Sequence, residues 1–304
     1  MKQNKLQPGI LALIGCVSIW GSTFVITKSL MNSIGPFMII GLRLMISLVV
    51  ITPIALRRGF VWKMILQKDY LLFGLTGVAL YFGLANTGLD LTTAANAALI
   101  QAANPAAVAL LSVLVLKEQI TPKKGIGIGL SIIGVLLVAG IPASNQGATL
   151  AGNLLMVGSV IAWAVYTVQS RKIPSSVDAL ASTTASFYTG LIWLVPFIAW
   201  EFTHIGLPVI SPSSWLALVY LGLVASGLAY FLWNYALNSV EASVAAPFIN
   251  LIPIIGLTLS LLVGESVTFI QIFGGLVAIL GVLITQNIPI PGRGSLHENP
   301  DPTH

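Results

Sequence analysis

The amino-acid sequence predicts an all-α membrane protein with ten transmembrane helices in two inverted five-helix repeats. Three observations carry that expectation. Hydrophobic residues make up 56 % of the 304 residues and charged residues only 8 %, with a mean hydropathy of +0.95. A soluble chain of this length needs far more charge to coat its surface. The apolar residues gather in ten stretches, each near the ~20 residues that a helix needs to cross a hydrocarbon core. Short motifs of the first half also return, in the same order, in the second half.

The first stretch, 9–29, follows Lys2 and Lys5. Its start resembles a signal peptide, but no small-residue cleavage site follows. The apolar run continues past Trp20 and Phe24 to spanning length, so it reads as an uncleaved first helix. The second stretch, 36–56, opens at Pro36 and holds Arg43 alone among aliphatic side chains. The third, 69–89, carries Tyr81 and Asn86, and the fourth, 94–116, carries Gln101 and Asn104. Asn104-Pro105 marks a place where proline frees carbonyls within the membrane, and such places line cavities. Thr121-Pro122 supplies an N-cap and a first-position proline for the fifth stretch, 123–140. Gly125 and Gly129 in that stretch have the GxxxG spacing of close helix packing.

The sixth stretch, 150–170, contains Trp163 and Tyr166, and the seventh covers 178–200. The eighth, 213–237, contains Tyr230, Trp233 and Asn234. The ninth, 243–263, contains Asn250 and a second break at Ile252-Pro253. Thr268 and Gln271 form a capping box for the tenth stretch, 269–286. Glu118 and Glu265 each precede one of these helix starts, where a carboxylate is favoured by exposed N–H groups and the macrodipole. Both read as structural turns. The tail, 287–304, is rich in proline, glycine and polar residues and is expected to be disordered.

The charges orient the chain. Lys2, Lys5, Arg57, Arg58, Lys63, Lys68, Lys117, Lys123, Lys124, Arg171, Lys172 and Arg293 all fall on one side of a ten-helix arrangement. The opposite loops carry Lys28, Asp90, Glu201, His204 and Glu265. The positive-inside rule then places both termini in the cytoplasm, with the tail on that side. The net charge of +5 is thereby a topology signal, and nucleic-acid binding has no support. Cys16 is the only cysteine, so no disulfide forms within the chain.

The repeats are GCVSIW at 15–20 with GSVIAW at 158–163, and ALYFGLAN at 79–86 with LAYFLWN at 228–234. NPAAVALLSVLVLKEQIT at 104–121 aligns with LIPIIGLTLSLLVGESVT at 251–268, which sets Glu118 on Glu265. At the same offset Gly127 and Gly134 fall on Gly274 and Gly281, while Pro105 and Pro253 miss it by one residue. With five helices per repeat, an odd number, the second repeat enters the membrane upside down. Inverted repeats are a transporter architecture with the substrate site near the midplane.

WGSTFVITK in the first helix, a proline ahead of GLR in the second, and the twice-repeated P…E ending of the fourth and ninth resemble the EamA-type transporters of the drug/metabolite transporter superfamily. The resemblance covers two repeats, 9–140 and 150–286. It implies a multi-pass protein of the cytoplasmic membrane that carries small metabolites, often outward, by alternating access of a central cavity. It leaves the cargo open. Small multidrug-resistance relatives exchange cations for protons through a carboxylate in their first helix, and this first helix has none. No Asp, Glu or His falls in the middle third of any expected helix, which also argues against an intramembrane enzyme, because acid–base catalysis needs a titratable group at the reacting atom.

An arginine inside the bilayer is costly, by ~2.5–3.5 kcal/mol on insertion scales. Arg43 is therefore either a packing element, paired with helix-end carbonyls or Glu265, or a cavity residue that holds an anionic group of the cargo. Lys28 either snorkels at the outer end of the first helix or joins Arg43 in a positive field that favours carboxylate or zwitterionic cargo. Neutral amides and aromatics remain as candidate lining: Trp20, Thr23, Tyr81, Asn86, Gln101, Asn104, Trp163, Tyr166, Tyr230, Trp233, Asn234 and Asn250, with Arg43. Each could equally tie two helices together. The expected function is secondary transport, with export of a small polar metabolite such as an amino acid. The alternatives are a membrane scaffold or sensor without flux and an importer of a small anionic metabolite. The expected partners are the cargo and the lipid bilayer, with monomer and homodimer both open. No cofactor or metal is expected.

Overall fold

The computed structural model describes residues 3–117, 121–140, 148–170, 173–174, 176–206, 208–237 and 246–285. No strand occurs among them. Eight helices are long and apolar enough to cross a membrane: α1 (Gln7–Leu30), α2 (Pro36–Leu56), α3 (Lys68–Asp90), α4 (Ala94–Val115), α5 (Pro122–Ala139), α6 (Leu150–Ser170), α7 (Ala179–Ile205) and α8 (Pro212–Trp233). Two shorter apolar helices follow, α9 (Phe248–Leu262) and α10 (Phe269–Thr285). The tail and Glu118 lie outside the described residues.

Local chemistry starts these helices where the sequence signals them. Thr121 Oγ1 accepts the Lys124 amide at 3.2 Å, with Pro122 in the first turn. Thr268 and Gln271 form the reciprocal box: Thr268 N donates to Gln271 Oε1 at 2.7 Å and Gln271 N to Thr268 Oγ1 at 3.3 Å. Thr93, Asp178 and Ser211 cap α4, α7 and α8 in the same way. α7 runs to Ile205, a turn beyond the expected end, so Glu201 and His204 are helical rather than in a loop.

The charged residues at helix ends act across the chain rather than locally. Glu265 does not serve its own helix. Its Oε1 and Oε2 accept the amides of Ala94 at 2.9 Å and Ala95 at 2.8 Å, at the start of α4. Glu201 is 1 % exposed and accepts Met38 N at 2.6 Å and Phe37 N at 3.3 Å, at the start of α2. Lys28 donates to the carbonyls of Leu89 at 2.7 Å and Asp90 at 2.8 Å, at the end of α3. Carboxylates thus meet exposed N–H groups and an ammonium meets exposed carbonyls, each pairing favoured by the helix dipole.

Beside these ends lies a polar cluster that the sequence did not announce. Asn153 Oδ1 accepts Thr92 Oγ1 at 2.6 Å and Asn96 Nδ2 at 3.2 Å. Gln271 Nε2 donates to Asn96 Oδ1 at 2.7 Å, and Asn153 Nδ2 to the Ala139 carbonyl at 3.0 Å. Asn96 and Asn153 are fully buried, and the cluster ties α4, α5, α6 and α10 together. A buried polar group left without a partner costs about 1–3 kcal/mol, so a mutually satisfied set specifies one arrangement of the four helices.

α5 and α10 pack along each other at backbone distance. A Cβ on Gly127 would collide with the backbone of Gly281 and Thr285, and one on Gly134 with that of Ala278 and Gly274. Between them, Ser131 Oγ donates to the Ala278 carbonyl at 2.9 Å. The close-packing glycines are therefore Gly127 and Gly134; a Cβ on Gly129, of the GxxxG pair, would meet nothing within 4 Å.

The remaining contacts follow a pattern. α1 packs on α8 and α9, and α6 packs on α3 and α4; α2 packs on α8, and α7 on α3. The pairs α2 with α7, α4 with α9 and α5 with α10 complete it. Swapping each helix for the one five places away maps these pairs onto one another, whereas the contacts of α2 with α3, α1 with α4 and α4 with α10 have no comparable counterpart. α3 and α8 also share an irregularity, π-helical stretches at Leu75–Leu80 and Tyr220–Leu228. A π-turn inserts a residue and re-aims the side chains that follow it.

Candidate functional site

A cavity of about 350 Å³ lies where α1, α2, α3, α4, α6, α8 and α9 converge. Two interrupted helices form part of its wall. α4 is broken at Ala102 and Ala103, between Ala94–Gln101 and Asn104–Leu116. α9 is entered through a 3₁₀ turn, Ala246–Asn250, before Leu251–Leu262. Pro105 and Pro253 both line the cavity at these breaks. Proline supplies no N–H and clashes with the preceding turn, which explains why irregular backbone sits here.

Nine of the residues expected from the sequence line this space: Trp20, Thr23, Arg43, Tyr81, Gln101, Asn104, Trp163, Trp233 and Asn250. Asn86 does not. Its Nδ2 donates to the Pro36 carbonyl at 3.2 Å and ties α3 to the start of α2. Tyr166 stands behind the wall, 5.3 Å from the Trp163 ring and 6.2 Å from Phe73. The side chains of Tyr230 and Asn234 lie outside the described part of the structure. Lys28 is committed to the end of α3 and lines nothing. Phe24, Phe82, Ala102 and Ile249 line the cavity without having been singled out; as apolar side chains in apolar helices they carry no distinguishing signal in sequence.

Arg43 is held on the wall by short-range chemistry. Its Nε donates to Ser226 Oγ at 3.0 Å, and its guanidinium carbon lies 4.9 Å from the centroid of the Phe82 ring. Ser226 sends its own proton to the Leu221 carbonyl at 3.0 Å, so its oxygen is left as an acceptor. Glu265 takes no part, because both its oxygens serve α4.

On the α4 side a chain of hydrogen bonds fixes the amide orientations. Ser159 Oγ donates to the Met156 carbonyl at 2.7 Å, which leaves its oxygen to accept from Gln101 Nε2 at 2.8 Å. Gln101 Oε1 must then face a donor, and Asn104 Nδ2 supplies it at 2.5 Å. Each link sets the next. Aromatic rings form the flanks. Trp20 and Trp233 lie 5.8 Å apart on α1 and α8, with Trp20 Nε1 donating to the Ala225 carbonyl at 3.2 Å. Tyr81 and Trp163 lie 4.9 Å apart on α3 and α6.

The described lining thus combines one fixed cation, aromatic faces and oriented amides. Such a space admits a small molecule of mixed polarity, and its field favours an anionic group over a lipophilic cation. Many apolar helices around a largely apolar cavity with a few placed polar groups define a multi-pass membrane protein of the transporter class. The chain belongs to the EamA-like transporter family, whose profile matches residues 7–140 and 150–286. It is 28 % identical over 284 residues to the uncharacterized transporter YyaM of Bacillus subtilis, covering 91 % of this chain and 93 % of that one. It is 29 % identical over 291 residues to a probable amino-acid metabolite efflux pump of Escherichia coli, covering 91 % and 94 %. A crystal structure with 19 % identity superposes with a TM-score of 0.58, covering 94 % of this chain and 98 % of that one, and so shares the fold.

Proposed function

We propose that this protein is a secondary carrier that exports a small polar metabolite, an amino acid in the first instance, across the cytoplasmic membrane. The cavity lies between two inverted five-helix halves and opens to either side in turn. The observation that carries the reading is the cavity itself, built from helices of both halves where α4 and α9 break. Three further features support it. The most extensive helix pairs map onto one another when the halves are exchanged. Gly127 meets Gly281 and Gly134 meets Gly274, although in sequence Gly127 corresponds to Gly274 and Gly134 to Gly281. That crossed pairing is what a two-fold axis perpendicular to two antiparallel helices produces, and it passes beside Ser131 and Ala278. The name of the Escherichia coli relative supports amino-acid export as the first cargo class to try.

No carboxylate, histidine or cysteine lines the cavity among the described residues, which favours carriage over acid–base catalysis. Flux in liposomes decides the matter. Purified protein reconstituted with a metabolite library should release amino acids or related acids down their gradients. Folded protein with no flux of any compound would sink the carrier reading and favour a scaffold, and turnover within one compartment would favour an enzyme. Reporter fusions after residue 62 and at the C-terminus should read cytoplasmic and one near residue 145 external. Equal readings at 62 and 145 would overturn the inverted arrangement.

A further inference from the structure

A second cavity, of about 460 Å³, lies between α2, α7 and α8. It is lined mainly by aliphatic and aromatic side chains such as Ile51, Leu180 and Phe231, with Arg58 at one end and Ser226 among its polar residues. The Arg58 side chain is 58 % exposed and stands 3.8 Å from Asp178 Oδ2 at the start of α7, so it marks an open mouth at one end, while the exposed Ile54, Leu228 and Phe231 leave the cavity open along its side as well. The loop charges put that mouth on the cytoplasmic side.

Two contacts lie between this space and the central cavity. Trp233 lines both cavities and packs on Trp20 at 5.8 Å. Ser226 lines the second cavity, and Arg43, which lines the first, reaches it through the 3.0 Å bond. Ser226 sits in the π-helical stretch Tyr220–Leu228, where its hydroxyl reaches back five residues to Leu221. Irregular helix of this kind accommodates local shifts more readily than a regular ladder and is frequent at functional sites.

We propose that the two cavities are consecutive stations of one path, and that the Arg43–Ser226 bond and the Trp20–Trp233 contact form the closed partition between them. The second station receives cargo on the cytoplasmic side. Its occupant is a small carboxylate with an apolar body: the greasy walls take the body, and two guanidiniums, Arg58 at the mouth and Arg43 behind the partition, take the carboxylate in turn. The proposal rests on the carrier reading and adds to it an entry route and a gate.

Gly227 offers the test. It lines the second cavity, and a Cβ there would meet nothing within 4 Å, so a side chain can start there without a clash at its base. In inside-out vesicles Gly227→Cys should react with a membrane-impermeant anionic methanethiosulfonate at least about tenfold faster than Thr23→Cys in the central cavity, as a closed partition requires. Adding Ser226→Ala to Thr23→Cys should remove most of that difference. In liposomes Gly227→Leu should lower flux of whichever acid the wild type carries by about tenfold at unchanged melting temperature. Labelling of Gly227→Cys by membrane-permeant N-ethylmaleimide alone would mean that the groove holds a lipid chain, and would overturn the proposal. So would wild-type flux in Gly227→Leu. Absence of flux in the wild type is instead a failure of the carrier reading, and thiol access still decides whether the two spaces are joined.

Discussion

α4 and α9 meet the cavity in corresponding ways and bring different chemistry to it. Each is interrupted there, each places a proline at the interruption, and the two pack on each other. Around Pro105, however, α4 presents Gln101 and Asn104, oriented by Ser159. Around Pro253, α9 presents Ile249 and Ile252, with Asn250 as its polar residue. The difference separates two demands. Glycine contacts and the most extensive helix pairs occur in both halves, where the architecture needs them twice. The polar lining differs between α4 and α9, two amides against one, as suits a cargo whose two ends differ.

The largest expected effect tests the repeated part. Gly134→Leu and Gly281→Leu should each abolish folded, monodisperse protein in detergent, since both drive a side chain into the backbone of the facing helix. Gly129→Leu should melt like the wild type. Unequal damage from the first two would show that the halves do not share the seam evenly.

Arg43 has the next largest effect and tests the unrepeated part. Arg43→Ala removes a charged hydrogen bond worth about 1.5–3 kcal/mol, so transport should fall roughly ten- to a hundredfold. Arg43→Lys keeps the charge and loses the fork, and should weaken acidic cargo more than neutral cargo. If both variants lose melting temperature in step with flux and keep cargo preference, Arg43 only frames the helices. On the opposite wall, Gln101→Leu should reduce transport and break the Ser159–Asn104 chain, whereas Ile249→Leu should leave flux within about twofold, as volume-conserving apolar exchanges do.

Smaller effects belong to the helix-end charges. Glu265→Gln and Glu201→Gln should each lower stability by roughly 1 kcal/mol, the scale of a lost cap, visible as a fall in detergent melting temperature. Lys28→Met should cost about 0.3–1 kcal/mol, as for a cation removed from a helix C-terminus, and should leave cargo preference unchanged. A shift in preference with Lys28→Met would return it to the path.

The helical stretches were legible in the sequence because hydrophobic runs, Thr121-Pro122 and the Thr268–Gln271 box are local signals. The partner of Glu265 was not, since Ala94 is 171 residues away and a carboxylate ahead of one helix looks the same whichever helix it caps. Glu201 escaped notice because it was placed past the end of a helix that in fact continues. Mid-helix amides and aromatics pointed to the cavity as a group. Asn86 and Tyr166 were mistaken for lining because the residue types that bind cargo also tie helices together, and only packing distinguishes the two uses. Asn96 and Asn153 are one result of the same ambiguity, a tertiary network with no spacing to betray it.

Arg43 also has an electrical consequence. Arginine stays protonated in proteins, so this side chain places a permanent charge inside the voltage drop across the membrane. A full crossing is worth about 2.3 kcal/mol per 100 mV. A change in its depth through a third of the field would therefore bias the empty carrier by about 0.8 kcal/mol at that voltage, without any coupled ion. A bound monoanion, unlike a zwitterionic amino acid, would cancel the charge and make the loaded carrier indifferent to potential. In a cell the membrane voltage would then act on the return of the empty protein and leave the cargo-bearing step alone.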